Sequence, residues 1–128
     1  MPRAAGNGFP RLWLRVDLAP GVSLGPGKVE LLRGIDETGS ISAAGRRIGM
    51  SYKRAWQLVD ALNRHFASPL VAASRGGARG GGASLTPLGH TILATYLALQ
   101  TAAHDAAKGK LAELTAQLRA ADDDPTPG

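Results

Sequence analysis

The chain has 128 residues, a net charge of +5 and no cysteine. This length predicts one domain with one core, and the lack of thiols excludes disulfides, thiolate metal sites and cysteine nucleophiles. The N-terminus has no continuous apolar stretch of the kind found in secretion signals, and no run approaches the length of a membrane span. We therefore expect a cytoplasmic protein that has no membrane partner.

The positive charge is concentrated in the middle of the chain. Positions 46 to 79 hold seven basic residues and a single acid, Asp60, whereas three acids stand together at positions 122–124. A basic segment of this kind favours a polyanion as the partner. The alternative is a surface charge that only keeps the protein soluble.

The two ends of the chain are predicted to lie outside the folded domain, which we place at residues 11–121. Residues 1–10 offer little that could pack and predict a flexible arm, and residues 122–128 predict a disordered acidic tail. Residues 11–17 alternate apolar and polar side chains, which predicts a short β-strand in which Trp13 packs. The Pro- and Gly-rich residues 20–27 predict a loop.

Three helices are predicted to follow in close succession. They span Lys28–Glu37, Ser42–Ile48 and Ser51–Phe66. The first carries the apolar stripe Val29, Leu31, Leu32 and Ile35. Serines at positions 40, 42 and 51 can cap helix N-termini, and Gly49 can end the second helix in the left-handed conformation. Three short helices with a tight second turn predict a helix-turn-helix core.

The third helix is predicted to be two-sided. Ala55, Val59, Leu62 and Phe66 recur at helical spacing and predict the buried face. The other face carries Tyr52, Lys53, Arg54 and Gln57, followed by Asn63 and Arg64. Hydrogen-bond donors opposite a buried stripe are what a helix in a DNA major groove requires. The alternative is an ordinary helical hairpin with a solvated basic face.

A glycine-rich hairpin is predicted after the third helix. Its strands are Pro69–Arg75 and Ala83–Leu85, joined by residues 76–82. As the wing of a winged helix, it would let Arg75 and Arg79 reach phosphates or a minor groove. A mobile linker is the alternative. A nucleotide-binding loop is rejected, because no Gly-Lys-Ser/Thr follows the glycines.

The last helix is predicted to be unusually long. Thr86 followed by Pro87 is a strong start signal, and apolar residues at helical spacing continue to about residue 121. Such a helix would be roughly 50 Å long, so we expect its distal half to pair with a second copy of the chain. The alternative is a helix folded back on its own domain, and Gly109 is a candidate kink or break.

Catalytic and metal sites are not predicted. His65, His90 and His104 are far apart in the sequence and share no ligand spacing with carboxylates, and no nucleophile has an obvious base. We therefore expect neither an enzyme nor a cofactor. Gly34 and Gly45 are each expected to weaken a helix by about 1 kcal/mol relative to alanine.

Several of these segments together resemble one family. They are Thr38-Gly39-Ser40-Ile41-Ser42-x-Ala44, Gly49-Met50-Ser51-Tyr52-Lys53-x-Ala55-Trp56, Asp60-Ala61-Leu62-Asn63, Pro69-Leu70-Val71, the glycine-rich wing and Leu85-Thr86-Pro87-x-Gly89. This set is similar to the DNA-binding domain of ModE molybdate-responsive regulators over about residues 12–99. LysR-type regulators share the opening and the exit but typically lack Tyr-Lys-x-Ala-Trp and this wing.

The resemblance implies a mainly α fold with a small β component, namely a winged helix-turn-helix with a long C-terminal dimerisation helix. It implies a homodimer, joined through the N-terminal strand and the last helix, that binds palindromic double-stranded DNA at molybdenum-related genes. Trp56 matches the motif and is expected to pack. The predicted DNA-binding residues are Ser42, Arg46, Arg47, Ser51, Tyr52, Lys53, Arg54, Gln57, Arg75 and Arg79.

One departure from the family concerns the C-terminal side. Full-length family members carry molybdate-binding domains there, whereas this chain stops soon after the long helix. We expect a regulator without that effector domain, which could act with a separate effector-sensing partner. The alternatives are an oxyanion- or ligand-binding protein and a protein-interaction module paired with another regulator.

Overall fold

The computed structural model describes residues 8–74 and 82–120. Its elements are β1 (Val16–Ala19), β2 (Val22–Leu24), α1 (Pro26–Thr38), α2 (Ile41–Arg47), α3 (Tyr52–His65), β3 (Val71–Ser74), β4 (Gly82–Leu85) and α4 (Pro87–Ala116). The chain divides into two units, residues 14–97 and residues 1–13 with 98–128. The first unit is a winged helix-turn-helix, and α4 is the predicted long C-terminal helix.

The N-terminal strand differs from its prediction. Residues 11–15 are not in a strand, and β1 pairs antiparallel with β2, with Val16 opposite Leu24. Gly21, at φ +75°, lies in the turn between the two strands. Strand β2 falls within the predicted loop, because three residues between two Pro/Gly pairs are too few to show an alternating pattern.

The helix α1 confirms its predicted stripe. Val29, Leu31, Leu32 and Ile35 are all buried and contribute to the core. The helix begins at Pro26, a residue whose fixed φ suits the first helical turn. It ends at Gly39, whose φ is +71° and whose N–H donates to the Ile35 carbonyl at 2.8 Å.

The helices α2 and α3 form the predicted helix-turn-helix. Ser40 Oγ accepts from the Ala43 N–H, and Ser51 Oγ accepts from the Arg54 N–H, each at 3.1 Å. Gly49 takes a φ of +67° in the turn. Each helix matches its predicted span to within one residue at either end, because caps and a left-handed glycine mark three of the four ends in the sequence.

The two helix glycines allow close packing of helices. A Cβ at Gly34 would lie 2.7 Å from the Ala44 Cβ, so α1 and α2 pack too closely for any side chain there. A Cβ at Gly45 would lie 3.2 Å from the Ala55 Cβ and 3.3 Å from the Met50 carbonyl oxygen. The predicted loss of helix propensity is therefore offset by helix contacts that alanine would disturb.

The wing consists of β3 and β4, paired antiparallel with Val71 opposite Leu85. Both predicted strands exist, but β3 begins at Val71 rather than Pro69. The glycine-rich tip, with Arg75 and Arg79, lies outside the described residues, as do most of the predicted arm and all of the acidic tail. The Ala83 N–H donates to the Gly39 carbonyl at 2.9 Å, which ties the wing to the start of α2.

Asn63 holds the base of the wing. Its Oδ1 accepts from the Leu70 N–H at 2.9 Å and from the Val71 N–H at 3.0 Å, and its Nδ2 donates to the Val71 carbonyl at 3.1 Å. The sequence placed Asn63 on the polar face that was assigned to DNA. In the fold its amide instead satisfies three backbone groups of a neighbouring segment.

The helix α4 is continuous over 30 residues, so Gly109 neither breaks nor divides it. Thr86 Oγ1 accepts from the Gly89 N–H at 3.0 Å, which confirms the predicted start. Within the first unit, the Tyr96 hydroxyl donates to the Leu14 carbonyl, and burial raises the pKa of Tyr96. A phenol that keeps its proton remains a donor, so this hydrogen bond persists at neutral pH.

The second unit exposes apolar surface. Trp13 is 60% exposed, contrary to the packing predicted for it, and the Arg11 guanidinium lies 5.5 Å from its ring centroid. On α4, Leu99 and Leu114 are also exposed. Pairing of this segment with a second copy remains a prediction.

Candidate nucleic-acid interface

The exposed face of α3 carries the side chains that the sequence assigned to base recognition. Tyr52, Lys53, Arg54 and Gln57 are all exposed. On the opposite face, Ala55, Leu58, Val59 and Leu62 are buried in the core, whereas Phe66 lies just beyond the helix and is half-buried. The predicted two-sided helix is confirmed, with Leu58 added to its buried stripe. The Ser51 hydroxyl oxygen accepts the capping hydrogen bond from the Arg54 N–H, and its proton remains available for donation to another group.

The basic side chains on and near α3 differ in whether a carboxylate forms an ion pair with them. Arg64 pairs with Asp60 at 3.2 Å, and Arg47 pairs with Glu37 at 2.8 Å. Within residues 8–74 and 82–120, no carboxylate lies within ion-pair distance of Arg46, Lys53 or Arg54. With respect to the described residues, these three exposed cations have no ion pair to break before they contact a polyanion.

The Glu37–Arg47 pair joins the end of α1 to the end of α2. The hydrogen bond from the Arg47 guanidinium, helped by its charge, holds the pKa of Glu37 below its ordinary value. Both side chains are about half exposed, so solvent screens the pair. To contact a phosphate, Arg47 would have to break its ion pair with Glu37 or bind the carboxylate and the phosphate at the same time.

A cleft separates α3 from the wing. This helix–wing cleft has a volume of about 360 Å³. It is lined by Ser40, Ile41, Ser42, Tyr52, Trp56, Ala73, Ser74, Gly82 and Ala83. The structure thus brings Ser42 of α2 and Tyr52 of α3 together at one concave surface, while Arg46 and Arg47 lie at the far end of α2.

Trp56 is the residue of this cleft that sequence reasoning assigned to packing. Its side chain is 42% exposed, and its ring lies edge-to-face with Tyr52 at a centroid distance of 6.1 Å. Helical spacing alone could not have revealed this exposure. Trp56 follows exposed Tyr52 by four residues but precedes buried Val59 by three, so the spacing places it at the border of the two faces.

Other kinds of site are not found in the part of the chain that the structure describes. In that part, no three His, Asp or Glu side chains cluster closely enough to hold a metal ion. His90 lies 3.9 Å from Asp36 at the surface, a distance that favours at most a weak ion pair. No helix among the same residues is both long enough and apolar enough to cross a membrane.

Comparisons with known proteins show which regulators the chain resembles. The chain is 50% identical over 80 residues to the molybdenum-pterin-binding protein MopB of Rhodobacter capsulatus, covering 62% of this chain and 30% of that protein. It is 38% identical over 71 residues to the DNA-binding transcriptional dual regulator ModE of Escherichia coli K12, covering 56% and 27%. The chain thus spans about a third of the length of these relatives, and its resemblance to ModE-type regulators is confirmed.

A solved structure and a family model identify the fold and the family. The crystal structure of the CbnR DBD–DNA complex matches with a TM-score of 0.52 and 22% identity, over 68% of this chain and 95% of that one. This likeness confirms the winged helix-turn-helix fold. The model for bacterial regulatory helix-turn-helix proteins of the lysR family matches residues 27–90, which is half of the chain. The chain therefore belongs to the lysR family of bacterial regulatory helix-turn-helix proteins.

Proposed function

We propose that this protein is a sequence-specific transcriptional regulator that binds double-stranded DNA at molybdenum-related genes. The observation that carries the proposal is the exposed basic face of α3, set beside a two-stranded wing in a chain of a regulatory family. The link to molybdenum rests on the similarity to MopB and ModE. Regulators of this class are not enzymes, and the oxyanion-binding and protein-interaction alternatives have no comparable support.

The side chains divide into two groups by the chemistry they offer. Lys53 and Arg54 suit guanine, Gln57 suits adenine, and Tyr52 can contact either base edge or backbone. Arg46, Arg47 and the wing residues Arg75 and Arg79 suit phosphates, whereas Ser42 and Ser51 can donate to a phosphate or sugar oxygen. Base contacts specify the sequence, and phosphate contacts fix the position of the protein on the duplex.

The active species is proposed to be a homodimer. Exposed leucines on the distal part of α4 supply apolar surface for a second copy. A twofold dimer would place two copies of α3 about 34 Å apart, in successive major grooves of a palindromic site. A response to an effector is proposed to come through a separate effector-sensing partner; the protein's own abundance and a site not yet recognised are the alternatives. We expect the protein to work in the cytoplasm, where its DNA is.

Lys53→Ala is expected to relax sequence preference, whereas Arg46→Ala is expected to weaken binding to all DNA. A lost base contact removes about 1–3 kcal/mol of discrimination, while a lost phosphate contact lowers the salt slope by about 1 for every duplex. Fluorescence anisotropy should be measured with a selected duplex, defined as the duplex that the protein enriches from a random-sequence pool, and with a scrambled version. Equal losses on both duplexes for both variants would contradict these roles.

Glu37→Gln is expected to tighten DNA binding about twofold at low salt, because it frees Arg47 from an exposed pair. The matched control is Glu30→Gln, which removes the same charge from the Glu30–Arg33 pair on α1. Because the pKa of Glu37 is lowered, the pair persists at neutral pH and is lost as the pH falls through that pKa. An equal gain in the control would assign the effect to net charge rather than to Arg47.

A further inference from the structure

The helix–wing cleft has an aromatic wall that the proposed function does not yet use. Tyr52 and Trp56 are 62% and 42% exposed, and they pack edge-to-face at 6.1 Å. Among the described residues, the rest of the lining is uncharged: it consists of Ile41 and of small or hydroxyl-bearing residues such as Ala73, Ser74 and Ala83. Trp56 is not among the buried core residues, and its exposed part is open to a partner.

The helical arrangement fixes which side of α3 the indole occupies. Successive residues of an α-helix turn by about 100°, so Trp56 lies about 60° from Lys53 and about 40° from Tyr52 around the helix axis. The buried residues Ala55, Leu58 and Leu62 lie about 100–160° from Trp56, and buried Val59 lies about 60° from it, so Trp56 stands at the border between the buried and the exposed face. If Lys53 reaches base edges in a major groove, the exposed part of Trp56, which lines the helix–wing cleft, lies on the wing side of the same groove.

The chemistry of the aromatic wall selects one kind of DNA group. Within a major groove, the C5-methyl of thymine is the apolar feature among hydrogen-bonding base edges. When an aromatic side chain covers such a methyl, apolar surface of both groups is removed from water, which favours binding. A charged phosphate oxygen has no apolar surface to bury against the same wall. We propose that Trp56, supported by Tyr52, is a specificity-determining residue that packs against a thymine methyl group in each half-site. This inference rests on the proposed function, because it needs the recognition helix to enter the groove.

The test removes the methyl group from the DNA and the indole from the protein. Each thymine of the selected duplex is replaced in turn by uracil, which keeps the base pair and deletes the methyl. At one position in each half-site, the uracil substitution is expected to weaken binding of the wild-type protein about threefold to fivefold. This factor corresponds to the burial of one methyl group. Trp56→Ala is expected to lose affinity for the thymine duplex and to show no further loss at that position, while remaining sensitive elsewhere.

A fluorescence measurement reports on the indole itself. The chain has two tryptophans, so Trp13→Phe leaves Trp56 as the sole indole and serves as the matched aromatic control. On binding the selected duplex, the Trp56 emission of the Trp13→Phe protein should be shielded from acrylamide. Circular dichroism melts of Trp56→Ala show whether the variant is folded, and Trp56→Phe replaces it if it is not.

The outcomes separate this inference from the function on which it rests. Selective binding with no uracil position coupled to residue 56, or with an indole that stays open to acrylamide, would overturn the thymine contact and leave the regulator intact. If no duplex is enriched and all DNA is bound alike, the proposed function and the thymine contact fail together. A coupled position together with a shielded indole would establish the contact.

Discussion

Gly89→Ala is expected to destabilise the winged helix-turn-helix unit by about 3 kcal/mol or more, and it has the largest expected effect of any substitution considered. A Cβ at position 89 would lie 2.1 Å from the Leu70 carbonyl oxygen and 3.0 Å from its carbonyl carbon. Both atoms belong to the backbone, so no flexible side chain can move aside. The same oxygen accepts from the Thr86 N–H at 2.9 Å, so moving it also disturbs the start of α4.

The matched control for this prediction is Gly109→Ala on the same helix. Apart from its two chain neighbours and the backbone of its own helix, no atom of the described residues lies within 4 Å of a Cβ built at position 109. Alanine there should raise helix stability by up to about 1 kcal/mol. Urea unfolding followed by circular dichroism measures both free energies of unfolding. Equal effects at the two positions would show that α4 does not pack against Leu70 as described.

Asn63→Ala is expected to lower the free energy of unfolding by about 2–3 kcal/mol. The change removes three hydrogen bonds and leaves two N–H groups and one carbonyl at the base of the wing without their partner. Leu70 and Val71, which supply these groups, are buried, so water cannot readily replace the amide.

Two further variants give the prediction its controls. Asn63→Asp keeps both accepted hydrogen bonds and loses the donated one, so its loss should be smaller than that of Asn63→Ala. Gln57→Ala changes an exposed residue of the same helix and should stay within about 0.5 kcal/mol of wild type. If Asn63→Ala were as stable as Gln57→Ala, the wing would not depend on this side chain.

The helix-turn-helix core could be predicted because its signals are local. The caps at Ser40 and Ser51 and the glycine at position 49 mark helix ends within a few residues of sequence. The buried stripe of α1 follows directly from helical periodicity. These features depend on the residues of one or two elements, so a single sequence is sufficient to locate them.

The remaining features depend on contacts between distant segments. Strand β2 exists only because Val22–Leu24 pairs with β1. Asn63 and Gly89 both act on Leu70, a relation that no spacing within a helix reveals. Trp56 was assigned to packing because of its place on the helix, beside Ala55 and three residues before Val59, and only the fold shows that 42% of its side chain is exposed.

The most direct test of the regulator proposal is a binding titration across salt concentrations with the selected duplex and its scrambled version. We predict that a palindromic duplex is enriched, that its sequence occurs upstream of molybdenum-related genes, and that it binds more tightly than the scrambled control at every salt concentration. The logarithm of the binding constant should fall with a slope of about −0.9 per neutralised phosphate. Equal, weak binding to both duplexes would contradict the proposal and leave only a general affinity for polyanions.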